Sequence, residues 1–176
     1  MNIFYLHDDP YIAAQFHCDK HCVKMILESA QLLSTAHRLL DGDEKADLRH
    51  LYKSFSPKHP SAIWVRESHS HYTWLYDLME ALCDEYTRRY EKIHAVESTG
   101  LLSRLLTSPA NIPLVPFTPP PQCMPDEYKT ENTIQAYRNY YHGDKARFAE
   151  WRLGKPAWWK GAEGWTQSLP ASLSLA

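Results

Sequence analysis

The alternation of apolar and polar positions is helical along most of this 176-residue chain. From Asp9-Pro10, an acidic residue followed by proline at a first helical turn, the 3.6-residue period runs to about Leu40, where Asp41-Gly42-Asp43 stops it. Val23, Ile26, Ala30 and Leu33 form its core face, flanked by Phe16 and Leu27 on one side and Met25 and Leu32 on the other. A short helical pattern follows from Glu44 to Phe55. A second long block starts at His59-Pro60-Ser61, with Ser61 as candidate cap, and reaches about Glu97, a length that suits a bend or a break. Seven prolines between Pro109 and Pro125 forbid helix and central strand, so an extended surface strap is expected there. A third long helix is expected from Asn132 or Thr133 to about Arg152. The pattern predicts an all-α fold: a compact bundle of about three long helices, one domain over 1–168 with the strap at 109–125, and a flexible tail at 169–176.

Composition narrows the class without naming an activity. Apolar residues are 44% and charged residues 23%, the balance of a soluble globular domain. The net charge of −2 gives no whole-protein field for indiscriminate nucleic-acid binding but leaves room for a local basic face. No basic, apolar leader opens the chain, and no run of 18 apolar residues occurs, so a cytoplasmic protein is expected, in the host cell if a phage encodes it. Cys18, Cys22, Cys83 and Cys123 form no C-x-x-C pair and read as reduced thiols. Ten histidines and six tryptophans are the excesses to explain.

On the first helix, His17, His21, Lys24, Glu28, Gln31 and Thr35 fall on one narrow stripe bordered by apolar side chains. A solvent face is the plain explanation. Two histidines one turn apart beside a lysine and a glutamate also suit proton transfer, anion contact or metal. His17 and His21 at i and i+4 can share a divalent ion, although zinc needs further ligands and Glu28 lies too far along to join His17. On the second helix His69, Thr73, Tyr76, Glu80, Cys83 and Thr87 share a face. Glu85 falls among the leucines, with Arg89 four residues on as its expected partner. In the C-terminal segment, Trp151 to Lys160 interleaves tryptophans with cations, as anchors sealing the segment onto the bundle or as a surface for unpaired bases and phosphate.

Three segments together carry a resemblance. His17-Cys18-Asp19-Lys20-His21-Cys22-Val23-Lys24, His59-Pro60-Ser61-Ala62-Ile63-Trp64 followed by Trp74-Leu75-Tyr76-Asp77-Leu78, and Lys155-Pro156-Ala157-Trp158-Trp159-Lys160 resemble, in order and spacing, the bacteriophage pyrimidine-dimer DNA glycosylase/lyase family of endonuclease V type. The chain is also similar, more closely, to phage proteins of unassigned function that begin N-I-F-x-L…D-P. The family resemblance implies a compact all-α enzyme whose N-terminal α-amine attacks C1′ of a damaged nucleotide to form an imine. A glutamate on the first helix would stabilise that imine, and neighbouring basic residues would hold the duplex. Asparagine at position 2 leaves Met1 in place, so Met1 would supply the amine. With Lys20 and Lys24 set against two family arginines, the glutamate's place falls on His21.

The expected partner is therefore DNA or a nucleotide, with no cofactor, and the expected function that of a phage-type helical enzyme acting on it, of which a DNA N-glycosylase and abasic-site lyase is the specific form the resemblance implies. Met1, His17, His21, Lys24 and Glu28 would form the site, with His69 or Glu80 completing it from the second helix. Lys20, Lys24, Arg66, Lys155 and Lys160 would contact phosphate, and Trp158 or Trp159 would support an extruded base. Two other classes stay open from sequence: a metal-dependent hydrolase of nucleotides or phosphorylated small molecules using His17 and His21, and a non-catalytic protein that binds nucleic acid or a host factor.

Overall fold

The computed structural model describes residues 2–166, and among them the chain is helical with no strand. Met1, the expected tail and the boundary at 168 lie outside the described residues. None of the described helices is long and apolar enough to cross a membrane.

The expected first helix is two helices. α1 (Pro10–Phe16) starts as its sequence predicts, with Pro10 in the first turn and the Asp9 carboxylate accepting the Tyr11 N–H. It ends at His17, and α2 (Asp19–Asp41) begins after the extended pair His17-Cys18. The break is stabilised by partners remote in sequence. Arg89 donates to the carbonyls of Gln15 and His17, the Cys18 N–H reaches the Tyr141 hydroxyl, and the Asp19 N–H reaches the Glu150 carbonyl. Backbone groups that would otherwise close helical turns are satisfied elsewhere, so the chain can step sideways there. Gly42 stops α2 at φ +97°, a backbone angle other residues adopt poorly, and the short α3 (Asp43–Leu48) follows.

The second block divides as well, into α4 (Pro60–Glu67) and α5 (His69–Tyr90). Ser68 is the hinge: its hydroxyl accepts the Ser70 N–H as the cap of α5 and lies 2.5 Å from the Val115 carbonyl of the strap. Two short helices, α6 (Ala95–Ser98) and α7 (Leu101–Leu105), lead into the strap. The strap is extended as expected and is fastened along α4 and α5. The Trp64 indole donates to the Thr118 carbonyl, His71 Nε2 accepts the Thr118 N–H, and the His69 N–H meets the Pro113 carbonyl.

The third long helix is not there. α8 (Thr133–Tyr140) runs into a π-turn over Tyr141–Lys145, and the chain then winds irregularly to α9 (Glu163–Thr166). Only α2 and α5, of 23 and 22 residues, are long among the described helices. The π-turn lets Gly143 pass so close to the Tyr128 ring that a Cβ would collide with it. α2 packs on α4 and α5, and α1 on α5, around Ile26, Leu33, Leu75, Leu78, Met79 and Leu82, all fully buried. The face of α2 is rotated from the expected one: Val23 and Leu27 are exposed, while His21 and Thr35 are buried.

Glu85 and Arg89 pair inside this core at 3.0 Å, as their spacing predicts. Arg89 also holds Asp19 at 3.2 Å, so one guanidinium clamps α5 to the α1–α2 junction. The four cysteines are free thiols, three of them buried.

Candidate functional site

The polar stripe expected on the first helix divides into two environments. At its C-terminal part, Lys24 and Glu28 lie one turn apart with Nζ and Oε1 4.0 Å from each other; the lysine is open to solvent, while the glutamate keeps only 17% of its side chain exposed. Oε2 of Glu28 is buried and has no hydrogen-bond partner among the described residues. An unpaired buried carboxylate oxygen is costly, which marks this edge as a candidate site.

Facing this edge is the start of α4. The ring of His59 caps the helix, its Nδ1 accepting the Ser61 N–H at 3.1 Å, which leaves Nε2 to carry the proton of the neutral imidazole. Burial lowers the His59 pKa below its ordinary 6.5, and the Glu28 carboxylate opposes that fall, so the two groups act on one another across the α2–α4 contact. Ser61 touches the Cys123 thiol of the strap at 3.6 Å. The sequence pattern did not single out His59; the signal available was its place before Pro60-Ser61, where a side-chain acceptor caps a helix.

His17 and His21 lie in the other environment. His17 is fully buried; its Nδ1 lies 2.6 Å from the Ala13 carbonyl, and Nε2 has no partner among the described residues. Burial lowers its pKa to about 4. The His21 ring stacks on Phe4 at 4.2 Å, and its Nδ1 lies 2.7 Å from the Tyr141 hydroxyl. Burial first, then the neighbouring His17 and the cations of Lys145, Lys24 and Lys20, lower its pKa to about 2. Both rings are neutral parts of an aromatic interior that precedes the open edge along the chain. Among the described residues no three His, Cys, Asp or Glu side chains gather as a metal site.

The remaining candidates are dispersed. His69 is exposed at the first turn of α5 beside the strap. Glu80 is half-buried near Asp77 and Asp84, and burial, then those neighbours, raise its pKa. Arg66 donates to the carbonyls of Pro57 and Ala62. Trp158 and Trp159 are half-buried anchors. Trp158 packs against Phe16, Tyr141 and His142, with Arg138 over its ring, and Trp159 stacks on His142 at 5.1 Å. Lys155 lines a cleft of about 280 Å³ with Arg88, Arg89 and Glu85. Lys160 is exposed, its N–H held by His142 Nε2. Lys20 is exposed, its ammonium 4.5 Å over the Phe148 ring. Met1 lies outside the described residues, and Asn2, the first described residue, is half-buried.

Residues 1–98, which carry α1 to α5 and both Glu28 and His59, match the family model for pyrimidine dimer DNA glycosylase. No curated protein and no solved structure matches the chain.

Proposed function

The chain belongs to the pyrimidine dimer DNA glycosylase family, and we propose that it cleaves the N-glycosidic bond of a damaged nucleotide in DNA through an imine and then breaks the strand. The observation that carries this reading is Glu28, a carboxylate on the matched α2 with one oxygen buried and unpartnered beside an accessible edge. The glutamate's place, which the sequence puts on His21, passes to Glu28. A buried neutral imidazole has no negative charge to offer a cation.

The nucleophile is the α-amine of Met1, which with an ordinary pKa of about 7.7–8.0 keeps a useful neutral fraction at physiological pH. Its lone pair forms a bond to C1′ while the glycosidic bond breaks, and the electron pair leaves with the base, which takes up a proton. The amine then loses a proton, and its nitrogen lone pair expels the ring oxygen O4′, which takes up a proton, to give a cationic imine; loss of a C2′ proton then expels the 3′-phosphate and breaks the strand. Glu28, fixed on a helix and shielded from water, stabilises that charge without having to reorganise. Lys24 and Lys20 precede it along α2 and contact phosphate.

Borohydride added to the protein with abasic-site duplex should trap a covalent adduct through Met1. Absence of an adduct, or strand cleavage undiminished when the α-amine is acetylated, overturns the reading.

A further inference from the structure

A cleft of about 240 Å³ opens between the end of α2 and α3, lined by His37, Asp41, Lys45, Ala46, Leu48 and Arg49. His37 stands beyond Glu28 by two and a half helical turns, on the opposite side of α2 and roughly 14 Å further along, so this cleft is separate from the Glu28 edge. His37 and Ala46 are buried, whereas the Leu48 side chain is 76% exposed.

The nearby carboxylates are engaged elsewhere. Asp43 and Asp47 pair with Arg38 at 3.0 and 2.8 Å, and Asp47 also with Lys53 at 2.9 Å. The Asp41 carboxylate accepts the N–H groups of Ala110 and Asn111 and the Asn111 side-chain amide. Lys45 and Arg49 therefore have no carboxylate partner among the described residues. Arg49 is half-buried and reaches neutral acceptors, the Arg104 carbonyl and, at 3.3 Å, Nδ1 of His37. The tautomer of His37 is fixed: Tyr72 gives its hydroxyl proton to the Leu105 carbonyl at 2.6 Å and so accepts from Nε2 of His37 at 2.9 Å. Burial, then the Arg49 charge, lowers the His37 pKa to about 4, so the ring adds no charge to the cleft at neutral pH. A half-buried guanidinium without a counter-ion keeps N–H donors free for an anion from outside.

The shape of the cleft narrows the choice of anion. A guanidinium fork receives a carboxylate or a phosphate in two parallel bonds, but a phosphodiester brings nothing apolar to cover Ala46 and Leu48. The last residue of a protein chain carries a carboxylate and a side chain on one Cα. Lys45, four residues before Arg49 and on the same side of α3, extends the positive surface by about 6 Å. We propose that the cleft captures the C-terminus of a partner protein that ends in an apolar residue preceded by acidic ones. The terminal carboxylate lies on Arg49, the last side chain covers Ala46 and Leu48, and Lys45 meets an acidic residue before it.

The test is fluorescence anisotropy of the full chain with the labelled peptide Asp-Asp-Asp-Leu-Leu, as free acid and as C-terminal amide. The free acid should bind, and the amide should bind about 10- to 100-fold more weakly, the loss of a charge-assisted hydrogen bond. Arg49→Gln should weaken the free acid by the same factor, and Lys45→Gln by up to about fivefold, as for an exposed pair. Leu48→Glu sets a like charge against the ligand and should weaken it at least about tenfold, with the melting temperature unchanged because the side chain is exposed. No binding of the free acid at millimolar protein, equal affinity for acid and amide, or wild-type affinity in Leu48→Glu overturns the proposal. So does an Arg49→Gln variant that keeps the peptide and loses affinity for duplex DNA, which would make the cleft a nucleic-acid surface.

Discussion

Two histidines and a lysine–glutamate pair share one stripe of the helical pattern, and the fold gives them opposite fates. His17 and His21 lie against Phe4 and Tyr141, dry and neutral; Lys24 and Glu28, further along, lie at an edge where solvent reaches the lysine and a carboxylate oxygen stays unpartnered. Nothing in the pattern itself separates them. The difference comes from what covers each part: the N-terminal segment and the C-terminal aromatic cluster lie over the first turns, and the start of α4 faces Glu28. Chemically versatile side chains become functional where the fold leaves them at an accessible edge, and structural where it encloses them among aromatic rings.

The sharpest way to break this contrast is to remove what holds the dry half together. Arg89→Met takes from Glu85 its buried cation, leaving only the solvent-exposed Arg88 at 3.2 Å, and frees the carbonyls of Gln15 and His17. Breaking one side of a buried pair costs about 3–5 kcal/mol. At about 2–4 °C per kcal/mol for a chain of this size, thermal unfolding should fall by roughly 10 °C. A melting temperature within a degree of wild type would show that the α1–α2 junction does not depend on this clamp.

Glu28→Gln addresses the open half. Losing the charge at a position that stabilises a developing cation should slow strand cleavage about 100- to 1000-fold, some 2.7–4 kcal/mol in the transition state. The melting temperature should hold to within a few degrees, because the only ion pair lost is the long surface contact with Lys24. An active variant would place the stabilising charge elsewhere.

Much of the scaffold was legible. Periodicity located α2 and α5, proline spacing located the strap, and the four-residue interval paired Glu85 with Arg89. The breaks were less visible because what stabilises them is remote: Arg89, Tyr141 and Glu150 satisfy the backbone around His17 to Asp19, and the strap carbonyl of Val115 accompanies Ser68. α8 stops early where the π-turn fits Gly143 under Tyr128, a contact no helical pattern encodes. At the site, Lys24 and Glu28 were legible as an i, i+4 pair. His17 and His21 were misplaced because a helical projection treats one face as one environment, and His17 is not on α2 at all.

Acid should sharpen the comparison by a smaller amount. His17 and His21 have folded pKa values of about 4 and about 2, below the unfolded 6.5, so protons favour the unfolded chain. The stability that neutral burial contributes is complete above pH 6.5 and is lost as the pH falls toward those folded values. Between pH 7 and pH 6 the pair should cost roughly 1 kcal/mol. Other buried histidines such as His37, also lowered to about 4, add to the wild-type fall; in denaturant titrations at the two pH values the fall in His21→Gln should be smaller than in wild type by about half the pair's share, and an identical fall would mean that His21 already titrates in the folded protein.

The smallest effect belongs to Lys24→Gln. Its side chain is 61% exposed and its ammonium is 4.0 Å from Glu28, the geometry of a surface pair worth about 0–1 kcal/mol. Unfolding should shift by less than about 0.5 kcal/mol in denaturant, since the exposed stem buries little and the carboxylate is already partly unpartnered. That near-silence in stability is the counterpart of the clamp at Arg89. A loss of about 2 kcal/mol or more in Lys24→Gln, beyond the range of a surface pair, would make Lys24 a structural partner of Glu28, and the open edge would then serve the fold as the buried histidines do.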